Sequence, residues 1–494
     1  MLDIILHLAR VFAANGKQLY MVGGTVRDLL LRRETTGDVD LTTDARPDEI
    51  RRLAEETRPM AVVSVGEQFG TIRLHYPRAQ GTVETGEGEI VEAMTGSVTS
   101  PEPVALVGDH RPDVDVVEIT TFRSDRYNPE SRKPEVTFGD RLEDDLLRRD
   151  FSINAMARDP LNGDIIDPYG GRRDLEQRLI RAVGDDPERR FDEDPLRLLR
   201  GVRFAAQLGF QIEERTAEAI TLQAATLGKI SRERVRDEFT KVLVSADPGR
   251  GLRMLVDFGL IAYIVPEVLE LRGVSQRPAH SKDVYEHVLR VVANIPPRPA
   301  TRWAALLHDI AKPRTRVIED GKVHFFGHEE VGANMTRDIL RRLKFDRPFI
   351  EHVVRLVRMH MRANAYLPDW TDGAVRRLML EAGDTLPDLL ALSSADITSY
   401  RAERVMRAVA RVTELEERTR RLREEAERVP LKSPLDGNEL MALFNREPGP
   451  WLRPVKDHLL GLVIDGELGP DDKAGAEAEA RRFLAETEGS HGKR

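Results

Sequence analysis

Apolar and polar positions alternate in two ways along the chain, with a period of two near its beginning and a helical period later. Short runs with the composition of strands lie at residues 19–22, 39–42, 60–65, 71–74 and 115–120. Residues 1–14 have the spacing of an amphipathic helix, and after residue 172 apolar residues recur every three or four positions. The pattern predicts an α+β fold, in which a mixed β-sheet with helices is followed by all-α domains.

The chain has 494 residues, which is more than one hydrophobic core supports, so several domains are expected. Composition and proline–glycine punctuation divide it into a head, a helical neck, a third helical domain and a helical tail. The predicted bounds are 1–171, 172–272, 273–400 and 401–485, and residues 486–494 are expected to be disordered. Residues 77–113, rich in Gly, Thr, Glu and Pro, predict a loop insertion in the head, and the charged run 401–428 predicts a long exposed helix.

Composition narrows the possible functions. The chain contains no cysteine, which excludes disulfides, zinc knuckles and thiol catalysis. Aromatic residues make up 5%, so base-stacking platforms are not expected to be the main binding device. A net charge of −9 does not favour non-specific nucleic-acid binding, although a basic stripe can coexist with acidic metal sites. The first residues resemble neither a signal peptide nor a membrane span, so a cytoplasmic location is expected.

A pair of glycines follows the first predicted strand, in the order Val22-Gly23-Gly24-Thr25-Val26-Arg27-Asp28. A tight turn at Gly23 and Gly24, followed by a helix start, would direct free backbone N–H groups at an anion. Arg27 would be available to a phosphate oxygen. Because a Gly-Gly turn alone is common, its meaning depends on the residues that follow it.

An aspartate pair, Asp38-Val39-Asp40, comes ten residues later at the start of the next predicted strand. The period of two in a strand places the carboxylates of Asp38 and Asp40 on one face, where they can share divalent cations. A phosphate-binding turn beside a metal-binding carboxylate pair is the apparatus of nucleotidyl transfer.

Further charged residues follow in the head. Glu118 lies within a valine-rich strand, and an acid there either faces solvent or serves as a third catalytic carboxylate. Arg149, Asp150 and Asn154 belong to the run Arg-Arg-Asp-Phe-Ser-Ile-Asn-Ala at 148–155. These side chains suit charge-assisted hydrogen bonds to a triphosphate and a ribose, or form a structural cluster of salt bridges.

A last charged group is Asp194, Arg197, Arg200 and Arg203. Pro195 suits a first helical turn with Asp194 as N-cap, and the three arginines, spaced by three residues, would lie along one side of that helix. They form either a basic solvated face or a site in which Asp194 and Arg197 recognise a base edge. A carboxylate acceptor and guanidinium donors complement the Watson–Crick edges of C and A.

Taken in order, these motifs resemble the class II tRNA nucleotidyltransferase and bacterial poly(A) polymerase family. The resemblance implies that Asp38, Asp40 and Glu118 are catalytic and that the first two bind Mg²⁺. It implies nucleotide binding by the following residues: Gly23, Gly24, Arg27, Arg149, Asp150, Asn154, Asp194, Arg197, Arg200 and Arg203. Ser152 stands where this family more often has Thr. The polar segment between Arg123 and Leu142 occupies the position of a family loop associated with the change from C to A addition.

Histidines and aspartates form a second set, on segments with helical periodicity. The members of this set are His287, His308, Asp309, His328, His360 and Asp396. A His-Asp dipeptide in an apolar helix is costly unless it is paired or metal-bound. The ordered set resembles the HD phosphohydrolase superfamily, which implies one or two divalent transition metals or Mg²⁺.

The sequence thus predicts an enzyme that adds CCA to the 3′ end of tRNA without a nucleic-acid template. It would use CTP and ATP with Mg²⁺ and release pyrophosphate, while the HD domain would add a phosphatase or phosphodiesterase activity. A poly(A) polymerase and a CC- or A-adding enzyme share the motifs and remain alternatives. An HD phosphohydrolase with a tRNA-binding head is an alternative of another class. The tail would bind tRNA or serve only for packing, and the pattern indicates neither a membrane partner nor an oligomeric state.

Overall fold

The structure, a computed structural model, describes residues 1–33, 38–65, 70–77, 114–126, 135–277, 280–397, 402–428 and 432–491. The predicted insertion at 77–113 lies outside these residues, except for Pro77. The chain forms two compact units. The first comprises Met1–Ala205 and Gly209–Gln223, and the second comprises Ala206–Leu208 and Ala224–Arg494. This division falls inside the predicted neck, and the predicted domain bounds stay predictions.

The first unit is built on a mixed β-sheet. Its strands are β1 (Leu19–Val22), β2 (Val39–Thr43), β3 (Ala61–Val65), β4 (Thr71–Pro77), β5 (Val114–Thr121), β6 (Arg123–Arg126), β7 (Glu135–Phe138), β8 (Ala157–Arg158), β9 (Ile165–Ile166), β10 (Leu179–Ile180) and β11 (Gln211–Ile212). Seven of them form one sheet in the order β3-β4-β5-β2-β1-β8-β9. Within it β2 and β5 run parallel, and the other neighbours are antiparallel.

Helices cover this sheet and continue the first unit. They are α1 (Leu2–Ala14), α2 (Gly24–Leu30), α3 (Pro47–Glu55), α4 (Leu142–Leu147), α5 (Gly171–Gln177), α6 (Pro187–Glu193), α7 (Leu196–Leu208), whose last three residues belong to the second unit, and α8 (Glu214–Leu222). A 3₁₀ turn spans Ser152–Asn154. The amphipathic face predicted for residues 1–14 is real, since α1 buries Ile5, Leu8 and Phe12.

The second unit is almost entirely helical. Its α-helices are α9 (Arg232–Leu243), α10 (Pro248–Asp257), α11 (Val284–Asn294), α12 (Pro299–Leu307), α13 (His328–Arg342), α14 (Arg347–Asn364), α15 (Asp372–Ala382), α16 (Leu386–Ala395), α17 (Ala402–Arg428), α18 (Gly437–Phe444), α19 (Leu452–Asp465) and α20 (Lys473–His491). Short 3₁₀ helices lie at Ala224–Lys229, Leu260–Tyr263, Pro266–Leu271 and Gly383–Thr385. Two hairpins interrupt the helices, formed by β12 (Ser275–Arg277) with β13 (His280–Asp283) and by β14 (Arg316–Glu319) with β15 (Lys322–Phe325).

The structure confirms the α+β fold class and corrects two local expectations. The polar segment between Arg123 and Leu142 begins and ends as the paired strands β6 and β7, so it contains a hairpin where a loop without period was expected. Helix α20 continues to His491, so helix replaces the disorder predicted from residue 486 up to that point. The long helix expected at 401–428 is α17, which is exposed along much of its length but buries Leu415 and Leu422. None of the helices in the described ranges has the length and apolar character needed to cross a membrane.

Candidate active sites

The glycine turn brings two charged side chains close to the backbone. Strand β1 ends at Val22, and Gly23 turns the chain into α2 with a φ of +68°, a conformation that favours glycine. A Cβ atom at Gly23 would lie 2.9 Å from Nη1 of Arg149 and 3.5 Å from Oδ2 of Asp40. The hydroxyl of Thr25 accepts the N–H of Asp40 at 3.3 Å, which fixes β2 beside α2. Because Gly23 has no side chain, the guanidinium of Arg149 and the carboxylate of Asp40 can both lie close to the turn.

Three carboxylates gather at this edge of the sheet. Asp40 on β2 is paired in register with Glu118 on the parallel strand β5, and Asp38 directly precedes β2. Burial raises the pKa of Asp40, Arg149 opposes this effect, and Glu118 and Asp38 add to it, so that the pKa lies at about 6. Because these carboxylates disfavour each other's charge, their arrangement fits a divalent cation, which would neutralise them. The structure thus brings together the three acids that the sequence singled out.

Glu118 is also held by a neighbour that the sequence analysis missed. Its Oε1 accepts a hydrogen bond from Nε of Arg73 at 2.8 Å, across the register pair formed by β4 and β5. Glu118 is therefore not a free acid that faces solvent, and any cation that it binds would share its carboxylate with Arg73. Arg73 and Glu118 are 45 residues apart in sequence and meet only because β4 pairs with β5. The periodicity of either segment alone could not predict this contact.

Asp145 is a second residue that the sequence analysis missed. It is fully buried on α4, where Oδ1 accepts Nε of Arg148 at 2.8 Å and Oδ2 accepts Nη2 of Arg149 at 3.2 Å. The hydroxyl of Thr42 on β2 donates to the same Oδ2 at 3.3 Å. Asp145 thereby anchors the guanidinium that stands over Gly23. An acid three and four residues before an arginine pair was the signal that could have found it.

Replacing Asp145 with Asn is expected to destabilise the protein by about 2–3 kcal/mol, because two guanidinium groups lose a buried partner. Burial would raise the pKa of Asp145, but Arg148 and Arg149 outweigh it and hold the pKa below its usual range. The stabilisation is therefore complete above the unfolded-state pKa of about 3.9 and is lost as the pH falls through the folded-state value. Urea unfolding of both proteins at pH 7 and at pH 3 measures this difference.

The matched control for this prediction is Asp144→Asn, which removes the same charge one residue earlier from an exposed position on α4. It should change stability by less than about 0.5 kcal/mol. Equal destabilisation by the two variants, or a difference that does not shrink in acid, would contradict the anchoring role of Asp145.

A chain of hydrogen bonds joins four predicted nucleotide-binding residues. Arg27 donates from Nη1 to Oδ1 of Asn154 at 2.9 Å and forms a two-point ion pair with Asp28. Nδ2 of Asn154 donates to Oδ1 of Asp150 at 3.1 Å, and Nε of Arg200 donates to Oδ2 of Asp150 at 2.7 Å. Burial would raise the pKa of Asp150, but Arg200 and Asn154 hold it below its usual range. These contacts fix the orientation of both arginines.

Phe204 of α7 gathers the same arginines around one aromatic ring. The guanidinium carbons of Arg27, Arg200 and Arg203 lie 5.2, 5.4 and 4.3 Å from its centroid. The ring face supports three cations that would otherwise repel one another. Three guanidinium groups are thus held together near the glycine turn, two of them oriented by the carboxylates of Asp28 and Asp150, and this cluster of donors suits a polyphosphate.

Asp194 and Arg197 occupy different environments from those predicted. The N-cap of α7 is Pro195, one residue after the prediction, although Oδ1 of Asp194 accepts the N–H of Leu196 at 3.2 Å. Arg197 is buried, and its Nη1 donates to the carbonyl of Arg190 at 2.8 Å and to Oε2 of Glu193 at 2.9 Å. Arg197 does not lie on a solvated face with Arg200, and its partners hold the guanidinium in place. Its role in base recognition stays a prediction.

The second site is a compact group of imidazoles and carboxylates in the second unit. Its members are His287 on α11, His308 and Asp309 after α12, His328 at the start of α13, His360 on α14 and Asp396 after α16. All six side chains predicted for the HD site therefore come together. They form two groups of three that could each hold a metal ion, namely His287, His308 and Asp396, and Asp309, His328 and His360.

Asp309 connects the two groups. Its Oδ2 lies 3.4 Å from Nε2 of His287 and 3.2 Å from Nε2 of His308. Its other oxygen, Oδ1, lies 3.5 Å from Nε2 of His328 and 4.0 Å from Nε2 of His360. A carboxylate with one oxygen towards each group is suited to bridge two metal ions.

Backbone carbonyls orient three of the imidazole rings. Nδ1 of His308, His328 and His360 lies 2.9, 2.7 and 2.6 Å from the carbonyl oxygens of Ala305, Phe325 and Val357, respectively. A proton on Nδ1 satisfies these contacts and leaves the lone pair on Nε2, which faces the carboxylates. The rings are thus presented as metal ligands.

The charges of the cluster also favour a bound cation. Burial lowers the pKa of His308, but Asp309 and Asp396 outweigh it and raise it to about 10. Burial and the neighbouring His308 lower the pKa of His360 to about 4. His308 therefore holds an extra proton beside the negative charges of Asp309 and Asp396, and a divalent cation bound there could neutralise the same charges.

Lys312 is a further cation at this site that the sequence analysis missed. Its Nζ lies 2.7 Å from Oδ2 of Asp309.

Comparisons with known proteins agree with these geometries. Three protein families match parts of the chain. The family described as "Poly A polymerase head domain" matches residues 19–97 and 90–181. The family "Probable RNA and SrmB- binding site of polymerase A" matches residues 209–271, and the family "HD domain" matches residues 279–401. The A-adding tRNA nucleotidyltransferase of Deinococcus radiodurans is 37% identical over 364 residues, which cover 71% of this chain and 81% of that enzyme. The CCA-adding enzyme of a Geobacillus species is 30% identical over 468 residues, covering 94% and 93%.

A solved structure extends the similarity to the fold. The crystal structure of the Bacillus stearothermophilus CCA-adding enzyme in complex with CTP has a TM-score of 0.65 and 26% identity to this chain. The match covers 99% of this chain and 98% of that enzyme. The similarity therefore includes the head, the helical neck, the HD region and the tail.

Proposed function

The chain belongs to the class II tRNA nucleotidyltransferase and bacterial poly(A) polymerase family, and on that premise we propose that it adds CCA to the 3′ end of tRNA. It is a nucleotidyltransferase whose substrates are CTP, ATP and the tRNA 3′ end, and pyrophosphate is the leaving product. The observation that carries the proposal is the meeting of Asp40, Glu118 and Arg149 at the Gly23 turn. We place this reaction in the cytoplasm.

In this reaction the 3′-hydroxyl oxygen of tRNA forms a bond to the α-phosphorus of the nucleotide, and the hydroxyl proton is released to solvent. The bond from that phosphorus to the bridging oxygen of the β-phosphate breaks, and pyrophosphate leaves with the negative charge. Arg149 at the Gly23 turn, together with the arginines around Phe204, would bind the triphosphate and stabilise the charge on the leaving group. Gly23 and Gly24 leave room for the phosphates at the backbone.

Asp38, Asp40 and Glu118 are the residues that would hold divalent cations, and we propose Mg²⁺. Bound Mg²⁺ supplies a Lewis acid that lowers the pKa of the attacking hydroxyl and neutralises the leaving pyrophosphate. The protein's part is to hold the three carboxylates in one cluster, with Asp40 fixed by Thr25 and Glu118 fixed by Arg73.

Selection of the base is assigned to Asp194 and Arg197. Replacing Arg197 with Ala is expected to reduce the preference for CTP and ATP over UTP and GTP by at least about tenfold, because a site that hydrogen-bonds a base edge discriminates strongly. The dependence of the rate on Mg²⁺ concentration should change little. The measurement is kcat/KM for all four nucleotides on tRNA that lacks CCA.

The control for this prediction is Arg189→Ala, which removes an exposed arginine of α6 near the same Glu193. It should leave the nucleotide preference unchanged. An Arg197→Ala enzyme with the normal preference and normal stability would refute the proposed role in base selection.

The function itself is tested by incubating the purified protein and Mg²⁺ with tRNA that lacks CCA, or that ends in C or CC. CTP, ATP or both are supplied, and the products are separated at single-nucleotide resolution. Three additions that then stop establish CCA addition. Two additions with CTP alone indicate a CC-adding enzyme, one A on the CC end indicates an A-adding enzyme, and an unlimited A ladder indicates a poly(A) polymerase. No extension would favour an HD hydrolase with a tRNA-binding head.

A second activity is proposed for the HD site, namely metal-dependent hydrolysis of a phosphate ester. It is supported by the bridging position of Asp309 between the two groups of ligands. In this reaction a water oxygen bonds to phosphorus, the ester P–O bond breaks, and the alcohol takes up a proton.

The helical tail, 401–485, is proposed to contact the body of the tRNA, because the similarity to the Bacillus stearothermophilus CCA-adding enzyme extends over 99% of this chain.

A further inference from the structure

A cavity adjoins the HD cluster on the side of Asp396. It lies among α14, α16 and α17, has a volume of about 90 Å³ and is open to solvent on one side. Asn364, Asp396 and Arg411 contribute polar groups, and Val412 and Leu415 contribute apolar walls. This volume holds a phosphate group, and the rest of a small ester would lie against the walls towards the opening.

The polar groups on most walls of the cavity are already engaged. Asp396 lies 2.9 Å from Nε2 of His287 through Oδ1 and accepts Nδ2 of Asn364 at 2.6 Å through Oδ2. The amide oxygen of Asn364 accepts the hydroxyl of Ser393, and the hydroxyl of Tyr366 donates to Glu414 at 3.1 Å. These groups therefore shape the cavity and have few donors left for a ligand.

Arg411 differs from this pattern. Its side chain is half-buried at the cavity wall, and among the residues that the structure describes it has neither an ion pair nor a hydrogen bond. Other arginines of α17 are engaged, since Arg418 donates to Asp372 and to the carbonyl of Trp370, each at 2.7 Å. A phosphate group in the cavity would supply the acceptor that this guanidinium lacks among the described residues.

We propose that Arg411 binds the phosphate group of a small phosphate ester in this cavity and so presents it to the HD cluster. The inference rests on the proposed hydrolase function and adds a substrate class and a binding residue to it. A guanidinium can contact two phosphate oxygens at once, which leaves the remaining oxygens for the cluster at Asp396. The apolar walls would contact the rest of the ester.

The test uses the full-length protein loaded with Mn²⁺ and measures the binding of inorganic phosphate by titration calorimetry. Arg411→Ala should weaken phosphate binding by roughly tenfold or more, and Arg411→Lys should weaken it less. The control is Arg407→Ala, one turn earlier on the same helix, where the exposed arginine contacts only the carbonyl of Glu403 among the bonds described. The Mn²⁺ content of all variants should be equal.

The hydrolysis of p-nitrophenyl phosphate by the same samples separates the inference from the hydrolase function. Arg411→Ala should raise KM by about the factor found for phosphate binding and change kcat less. If the wild type binds phosphate through Arg411 but hydrolyses nothing, the hydrolase proposal fails and the binding site stands. If the wild type does not bind phosphate, or Arg411→Ala binds it as Arg407→Ala does, the inference is overturned.

Discussion

Replacing Asp40 with Asn is expected to reduce nucleotide addition to tRNA by about a thousandfold or more. The amide keeps the size of the side chain but removes the negative charge that a catalytic cation needs, an effect worth several kcal/mol of the reaction barrier. The other two carboxylates cannot compensate, because Glu118 already shares its charge with Arg73. The measurement is the single-turnover rate of CMP addition at saturating CTP.

The control for this prediction is Asp48→Asn, which removes the same charge from an exposed position of α3 in the same unit. It should add nucleotides at the normal rate. Hydrolysis by the HD site should be the same in wild type and in both variants. An Asp40→Asn enzyme within about tenfold of the wild-type rate would show that the carboxylate cluster is not the catalytic centre.

Replacing both His308 and Asp309 with Ala is expected to abolish metal-dependent phosphate ester hydrolysis while nucleotide addition continues. The double change removes His308 from one group and Asp309 from the other, so each group loses one of its three ligands, and the carboxylate that faces both groups is lost as well. A loss of at least about a thousandfold is expected, because metal-bound water is the proposed nucleophile. Hydrolysis, metal content and CCA addition are measured on one preparation.

The control for the double variant is His352→Ala, which removes a half-buried histidine of α14 that lies outside the cluster and contacts Asp388 at 2.8 Å. It should retain metal and hydrolysis. Unfolding of the double variant is monitored by circular dichroism, since the cluster is buried. Loss of both activities in a folded double variant would show that the two sites are not separable.

Much of the head was predictable because its signals are local. All five strand-like runs appear as strands within three residues of their predicted bounds, since alternation and valine-rich composition act over a few neighbouring positions. Asp38 and Asp40 were recognisable for the same reason, because a period of two places them on one face. His308 and Asp309 were recognisable because a His-Asp dipeptide in an apolar helix needs a partner, and the other four HD residues because their order along the chain resembles the HD superfamily.

Other features required the folded chain. Arg73 meets Glu118 because β4 pairs with β5, and Arg27 meets Asn154 although 127 residues separate them. The spacing of Asp145 from Arg148 and Arg149 is a local signal, but its contact with Thr42 on a distant strand could not be read from its own segment. The hairpin β6–β7 was expected to be a loop because its polar strands lack the apolar alternation that predicts pairing.

Short stretches of sequence encode the kinds of residues, their order and their local geometry. These were enough to indicate the fold class, the family and the carboxylates and histidines that the structure brings together. Which groups neutralise one another depends on contacts between distant segments. The burial of Arg197 between Glu193 and the carbonyl of Arg148, and the position of Arg411 on the wall of the same cavity as Asp396, arise from packing. Packing sets the distance and the dielectric environment between charges, and neither quantity can be obtained from the spacing of residues along the chain.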